Sequence, residues 1–349
     1  MQATNLVAGV LQLKLFRLES ASIAVVFFIS IVLCLPAVAI DRLPADSVGE
    51  FSPPSGQIAF IRAGDIWIMD ANGANQKLVC QVTNAEGRLS WSPDNRQIVF
   101  TRSGKVDLRG PDLRGGRHKV YDLFICYLDS AEAGNVKHFR RLTDSLGARG
   151  PEWGADSSQV LFWKDMNANR ISSRKPNYQL CMVDVNSGRV EPLRADWRSD
   201  EELFLVTPSM NRRNEIAFVF FNELMPGGLV VLPLDDVSIP LDSIQVLAQS
   251  NLGYVAPSWS PDGNWLAMVG NYPDDSGLYI ATADLSTKYL VTTPPERVHF
   301  NKYPPSLSPD SKWLTFSTSD GSIWICDIAG NGKTRLTRPG KDQAPCWSR

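Results

Sequence analysis

Short hydrophobic runs recur along the chain, each preceded at a fixed distance by one large apolar residue. Ile58 to Phe60, Ile98 to Phe100, Val160 to Phe162, Leu266 to Met268 and Leu314 to Phe316 each begin seven residues after Phe51, Trp91, Trp153, Trp259 and Leu307 respectively. A sixth run, Ile216 to Phe218, follows Met210 after six residues. Runs this short, bounded by turn residues, predict buried strands and not amphipathic helices. The intervening phrase is most complete at Ser260-Pro261-Asp262-Gly263, and returns at Ser92-Pro93-Asp94-Asn95 and Ser308-Pro309-Asp310-Ser311. Its proline presets φ and its last residue takes the tight position of a turn, so the phrase is scaffold and not a functional motif.

Each run is followed by a second strand signal that ends in aspartate, at Asp70, Asp129, Asp184, Asp235, Asp284 and Asp327. A turn comes next, and then a fourth short strand ending near Leu78, Leu142, Leu193, Leu247, Leu290 and Leu336. Four short strands at a base period of 40 residues, as from Phe51 to Trp91, make a four-stranded antiparallel blade. One small twisted sheet leaves both faces open, whereas a ring lets each blade cover its neighbour. The expected architecture is therefore all-β: a six-bladed β-propeller with blades at about 51–88, 89–150, 151–206, 207–254, 255–303 and 304–342. Pro345-Cys346-Trp347 repeats the start of the unit with no further unit behind it, which predicts that residues 343–349 form the inner strand of blade 1 and close the ring.

These phrases, with Ile66-Trp67-Ile68-Met69-Asp70 and the Arg-Leu-Thr triplets at Arg141 to Thr143 and Arg335 to Thr337, resemble the WD40-like (PD40) repeats of TolB-type six-bladed propellers. The resemblance covers about residues 51–349 and specifies fold far better than function. It implies a periplasmic setting and a membrane-associated protein partner. Two departures matter: only about ten residues separate the N-terminal leader from blade 1, which leaves no counterpart of the α/β domain of TolB, and blades 2 and 3 carry insertions.

That leader, residues 1–39, changes the compartment. Lys14 and Arg17 precede an uncharged run from Ala21 to Leu35, and Ala37-Val38-Ala39 offers the small side chains that a signal peptidase pocket accepts. The segment reads as a hydrophobic helix outside the domain, either a cleaved signal peptide or an anchor through residues 21–39, with 40–50 as a linker. Both readings export the rest of the chain to the periplasm or beyond. The chain as a whole has no basic excess: 35 Lys and Arg stand against 37 Asp and Glu, which disfavours a nucleic-acid partner. Of the remaining cysteines, Cys126, Cys181 and Cys326 lie in strand runs and read as core residues, while Cys80 and Cys346 lie outside them and are the candidates for a disulfide.

Candidate chemistry is sparse. Three histidines, none at ligand spacing, and the absence of Gly-x-Ser-x-Gly give no metal site, cofactor or catalytic residue to name. Asp165, Asn167 and Asn169 alternate as in a calcium loop, but Arg170 occupies the glycine position, leaving an Asx turn. The four tryptophans of the phrase, Trp91, Trp153, Trp259 and Trp347, read as blade packing rather than a carbohydrate platform. What breaks the repeat is the second-to-third loop of blade 2, Ser103 to Val120. From Arg102 to Lys119 it holds six Lys or Arg against two Asp, a formal +4, with Arg109, Arg114, Arg117 and Lys119 as candidate partner-binding residues. This loop, the blade 3 loop Asp165 to Asn177 and the connection Arg194 to Val206 enlarge one face, opposite the Ser-Pro-Asp turns. The expected function is a monomeric, non-catalytic scaffold for a protein partner in the envelope or outside the cell, touching membrane only through an uncleaved leader or its partner. The alternatives are a polysaccharide- or peptide-processing enzyme with its site in the central channel, and a purely structural domain.

Overall fold

The computed structural model describes residues 43, 54–107, 117–129, 134–168, 177–193, 198–199, 208–222, 225–234, 248–249, 254–270, 277–293 and 303–349. The leader, and with it the expected helix at 21–39, lies outside these residues. Among the described residues, no helix is long and apolar enough to cross a membrane. Six antiparallel sheets follow one another along the chain, each with the order inner, second, third and outer strand. Blade 5 is the plainest, with strands Tyr254–Trp259, Trp265–Gly270, Gly277–Thr282 and Lys288–Thr292. Blade 1 takes its inner strand from the far end of the chain: Asp342–Trp347 pairs with Gln57–Arg62, with Ile58 opposite Trp347 and Arg62 opposite Asp342. The ring closes as the truncated last repeat predicts.

The hydrophobic runs are continuous because both faces of each blade are buried. In Gln57–Arg62, side chains alternate by the two-residue strand period: Ile58 and Phe60 join a cluster with Ile323 and Ile325 of blade 6, while Ala59 and Ile61 join one with Ile98 and Phe100 of blade 2. The other clusters lie between blades 2 and 3, across blades 3 to 5, and between blades 5 and 6, so the apolar core is a ring of inter-blade seams. Leu43, in the segment expected to be a plain linker, is 5% exposed and packs into the seam between blades 5 and 6.

The repeated phrase has a hydrogen-bond explanation. In blade 5, Ser260 Oγ accepts the Trp265 amide at 2.9 Å and donates to Asp262 Oδ1 at 2.6 Å, while that carboxylate also accepts the Asn264 amide at 3.0 Å. Ser92 with Asp94, and Ser308 with Asp310, repeat the arrangement. The residue after each aspartate needs a left-handed backbone: Asn95, Ser157, Gly263 and Ser311 have φ of 58°, 59°, 70° and 58°. Only one of these is glycine; the others are short polar residues, which bear the left-handed conformation at less cost than bulky or β-branched ones. The serine or its equivalent before the large residue is inter-blade glue. Ser90 Oγ accepts the Trp153 amide, Ser209 Oγ that of Trp259 and Ser306 Oγ that of Trp347, at 3.1, 3.0 and 2.9 Å.

The tryptophans are packing residues, as expected: Trp91, Trp153, Trp259 and Trp347 are 1%, 0%, 6% and 2% exposed. Cys80 and Cys346, expected as the candidates for a disulfide, are both free thiols. Cys346 lies on the inner strand of blade 1 and Cys80 on its outer strand, Lys77–Cys80, with two strands between them. At about 4.8 Å per strand this places them beyond disulfide reach. Cys80 instead sits fully buried in the seam where Cys126 also lies.

Deleting residues 343–349 should lower unfolding stability by at least about 3–5 kcal/mol, the usual cost of truncating one buried Trp, and urea denaturation of the shortened chain measures it. Ser260→Ala should cost about 1–2 kcal/mol at pH 7. Burial pushes the Asp262 carboxyl up, but the bonds from Ser260 and Asn264 outweigh it and hold its pKa below the ordinary value. Stability from this group is therefore present above the unfolded pKa near 4 and lost as pH falls through the folded one. The gap between wild type and Ser260→Ala should accordingly narrow between pH 7 and pH 3.

Candidate functional site

The basic segment of blade 2 is a β-hairpin arm, which corrects the expectation of a loop over Ser103 to Val120. Its two strands, Gln97–Asp107 and Arg117–Tyr127, are 11 residues each, against 6 for the matching strands of blade 1. The inner strand stops pairing at Ala85 opposite Arg102, yet the hairpin continues through five more pairs, from Ser103 opposite Tyr121 to Asp107 opposite Arg117. That extension projects the hairpin by about 16 Å. The alternation that sequence reading missed is Ser103, Lys105, Asp107 against Gly104, Val106: a two-residue period that the glycines and charges obscured.

The candidate residues divide. Arg109 and Arg114 lie outside the described residues. Arg117 stands on the hairpin opposite Asp107. Lys119 is half-exposed and paired, its Nζ 2.8 Å from Glu86 Oε2 and 5.0 Å from the centre of the Tyr121 ring. Burial works to lower the Lys119 pKa, but the Glu86 carboxylate outweighs it and raises it. The Arg149 guanidinium lies 3.5 Å from the same ring, and Arg102 at the base of the arm is stacked near Phe124 and Phe139 at 5.5 and 5.8 Å. The +4 of the sequence is thus partly neutralised and partly spent on bracing the arm. In blade 3, Asp165 Oδ1 accepts the amides of Asn167 and Asn177 at 2.9 and 3.0 Å, an Asx turn clamping the base of that loop, while Asn169 and Arg170 lie outside the described residues. Part of the expected linker Arg194 to Val206 is strand: Arg198–Ser199 pairs with Gln179 and Tyr178.

The channel holds a charged node that the repeat pattern concealed. Arg88 donates through Nε to Glu152 Oε2 at 2.9 Å, through Nη1 to the Pro257 carbonyl at 3.1 Å and through Nη2 to Ser209 Oγ at 3.4 Å. One side chain of blade 2 therefore ties blades 3, 4 and 5. The second Glu152 oxygen accepts Arg349 Nη2 at 2.5 Å, and the backbone of Arg349 is held by the Asn95 side chain through bonds of 2.8 and 2.6 Å. The carboxylate is 4% exposed, and the Arg88 and Arg349 side chains 9% and 21%. Cys346 also lines the channel. Desolvation pushes its thiol up to about 11, which favours the neutral form at neutral pH.

The signal for Arg88 was present as an insertion. The inner strands of blades 1, 3 and 5 each carry a one-residue bulge, with a left-handed residue at Ala344, Gly150 and Ala256 just before Pro345, Pro151 and Pro257. In blade 2 the register slips by two, from Glu86 opposite Thr101 to Leu89 opposite Phe100. The extra residue after left-handed Gly87 is Arg88. Arg88→Ala should destabilise the fold by about 3–5 kcal/mol, since it removes one partner of a buried charge network, and Arg349→Ala by only about 1 kcal/mol because its guanidinium is more exposed. Urea unfolding of both variants checks the ranking.

No protein-family profile matches the chain, and no curated protein matches it. Solved structures do. TolB from Acinetobacter baumannii superposes with a TM-score of 0.63 at 16% identity over 84% of this chain and 66% of that one, so the chain spans just under two thirds of that protein. A putative TolB from Agrobacterium tumefaciens gives 0.57 at 11% identity, covering 82% of this chain and 90% of that one. A chain of a nidogen/laminin complex gives 0.58 at 9% identity, over 84% and 99%. At these identities the likeness is one of fold: the described residues form a six-bladed β-propeller similar to those of the TolB structures.

Proposed function

We propose that the chain is an exported, non-catalytic scaffold that binds a protein partner in the cell envelope or outside the cell, through the face that carries the blade 2 arm. The observation that carries this reading is the arm itself. The Ser103 amide still donates to the Asn84 carbonyl at 3.0 Å, but past Ser103 on one strand and Tyr121 on the other, neither strand pairs with a second neighbour among the described residues, so two backbone edges stand open. Open strand edges invite pairing by another chain, and a charge near the tip, such as exposed Lys105, restrains unspecific pairing while leaving a specific partner free to add. The ring bears the stability, so a projecting hairpin on one face is free to serve recognition. The leader supports export, and the TolB and nidogen/laminin structures are proteins of similar fold. An enzyme reading finds less support: in the channel, both oxygens of Glu152 are taken by Arg88 and Arg349, and burial favours the neutral form of the Cys346 thiol.

Replacing residues 103–120 by a short Gly-Ser turn removes buried Val120 and the Lys119–Glu86 pair, so it should lower the thermal midpoint by about 2–8 °C and leave the chain folded. The same replacement should abolish capture of the partner cross-linked to the wild-type chain in an envelope fraction. Undiminished capture with intact folding would refute the arm as the recognition element.

A further inference from the structure

Where the channel opens toward the Ser-Pro-Asp turns there is a cavity of about 50 Å³, lined by Arg88, Glu152, Arg212 and Arg349 with Ser90, Ser306 and Ser348 among the polar groups. Its side-chain charges do not balance: three guanidinium groups face one side-chain carboxylate. Its hydrogen bonds do not balance either. A guanidinium carries five N–H groups. Arg88 uses three, and Arg349 uses only Nη2, for Glu152 and the Trp153 carbonyl. The remaining N–H groups have no acceptor among the described residues. The hydroxyls add to this surplus, because Ser90, Ser306 and Ser348 each accept a backbone amide, from Trp153, Trp347 and Gln57. With the oxygen occupied as acceptor, the hydroxyl proton is left to donate. A wall with too many donors and a net positive charge, in a space that would hold a few waters, is complementary to a group with acceptors only.

We propose that this mouth of the channel is a binding site for an oxyanion, a carboxylate or phosphate group, gripped between Arg88 and Arg349 with Arg212 at the rim. The site lies on the opposite face from the blade 2 arm and stands independently of the arm's role. Arg349 is its adjustable half: only one of its nitrogens is committed to Glu152, and Asn95 holds its backbone while the side chain is free to pivot onto a ligand. Arg88, held by three partners on three blades, is the fixed half.

Titration of the full chain with inorganic phosphate and with succinate, at ionic strength matched with chloride, tests the site by calorimetry and by thermal midpoint. Saturable binding, and a rise in midpoint beyond the chloride control, is expected. Arg349→Gln, which leaves the Arg88 node in place, should weaken binding at least tenfold. Glu152→Gln, which keeps the shape and removes the competing negative charge, should tighten it several-fold, an effect that a purely structural salt bridge does not produce. A hexameric glutamate peptide distinguishes the sources: tighter binding than succinate, competed by phosphate, assigns the site to an acidic residue of a polypeptide, and equal or weaker binding assigns it to a free small anion. Absence of any effect beyond chloride, or binding unchanged in Arg349→Gln, overturns the proposal.

Discussion

Every blade in this ring buries its faces only because the next blade is there, and the pairing of Asp342–Trp347 with Gln57–Arg62 is where that circle of dependence is completed. The apolar core has no centre; it is a succession of seams, each shared by neighbouring sheets. A repeat array open at one end would leave Ile58 and Phe60 facing water on one side and Ile323 and Ile325 on the other. Closure removes both exposed faces at once, and it also joins residues nearly 300 positions apart, as in the bond from the Gln57 amide to Ser348.

The seams alone leave the inner strands to be held around a hole. Two devices do this. One is periodic: a serine before the large residue of one blade accepts the amide at the large residue of the next, as in Ser90 to Trp153, Ser209 to Trp259 and Ser306 to Trp347. The other is unique: Arg88 reaches across the channel to three other blades, and Glu152 joins it to Arg349. A buried charge network of this kind adds little net stability over well-packed apolar groups, but breaking it is costly, because it leaves unpaired charge out of water. It therefore fixes one arrangement of the inner strands and, in doing so, leaves a donor-rich mouth on the turn face.

The two faces consequently offer different chemistry. The arm face presents open backbone edges on a hairpin braced by Arg102 against Phe124 and Phe139 and by Lys119 against Glu86. The turn face presents tight loops, those of blades 2, 5 and 6 locked by a serine, an aspartate and a left-handed residue, around a small positive cavity. Strand addition suits the first face and a compact anion the second.

Strand number, blade number, ring closure and the role of the Ser-Pro-Asp phrase were all legible in the amino-acid order, because each rests on local chemistry repeated at a fixed spacing. Two-faced burial writes continuous hydrophobic runs, and a tight turn writes its proline, aspartate and left-handed residue, whatever the rest of the chain does. The arm was half legible: its charge was visible, but Gly104 and the alternating small and charged residues hid a ladder that only pairing across the hairpin reveals. Arg88 was illegible as a function, although its insertion after Gly87 could be counted. Which residues meet in the channel depends on how six inner strands, four of them bulged, converge from positions as distant as 88, 152 and 349, and the separation of Cys80 from Cys346 depends on strand order within one sheet. Those are properties of closure, and closure is decided in three dimensions because no local segment contains the neighbours that impose it.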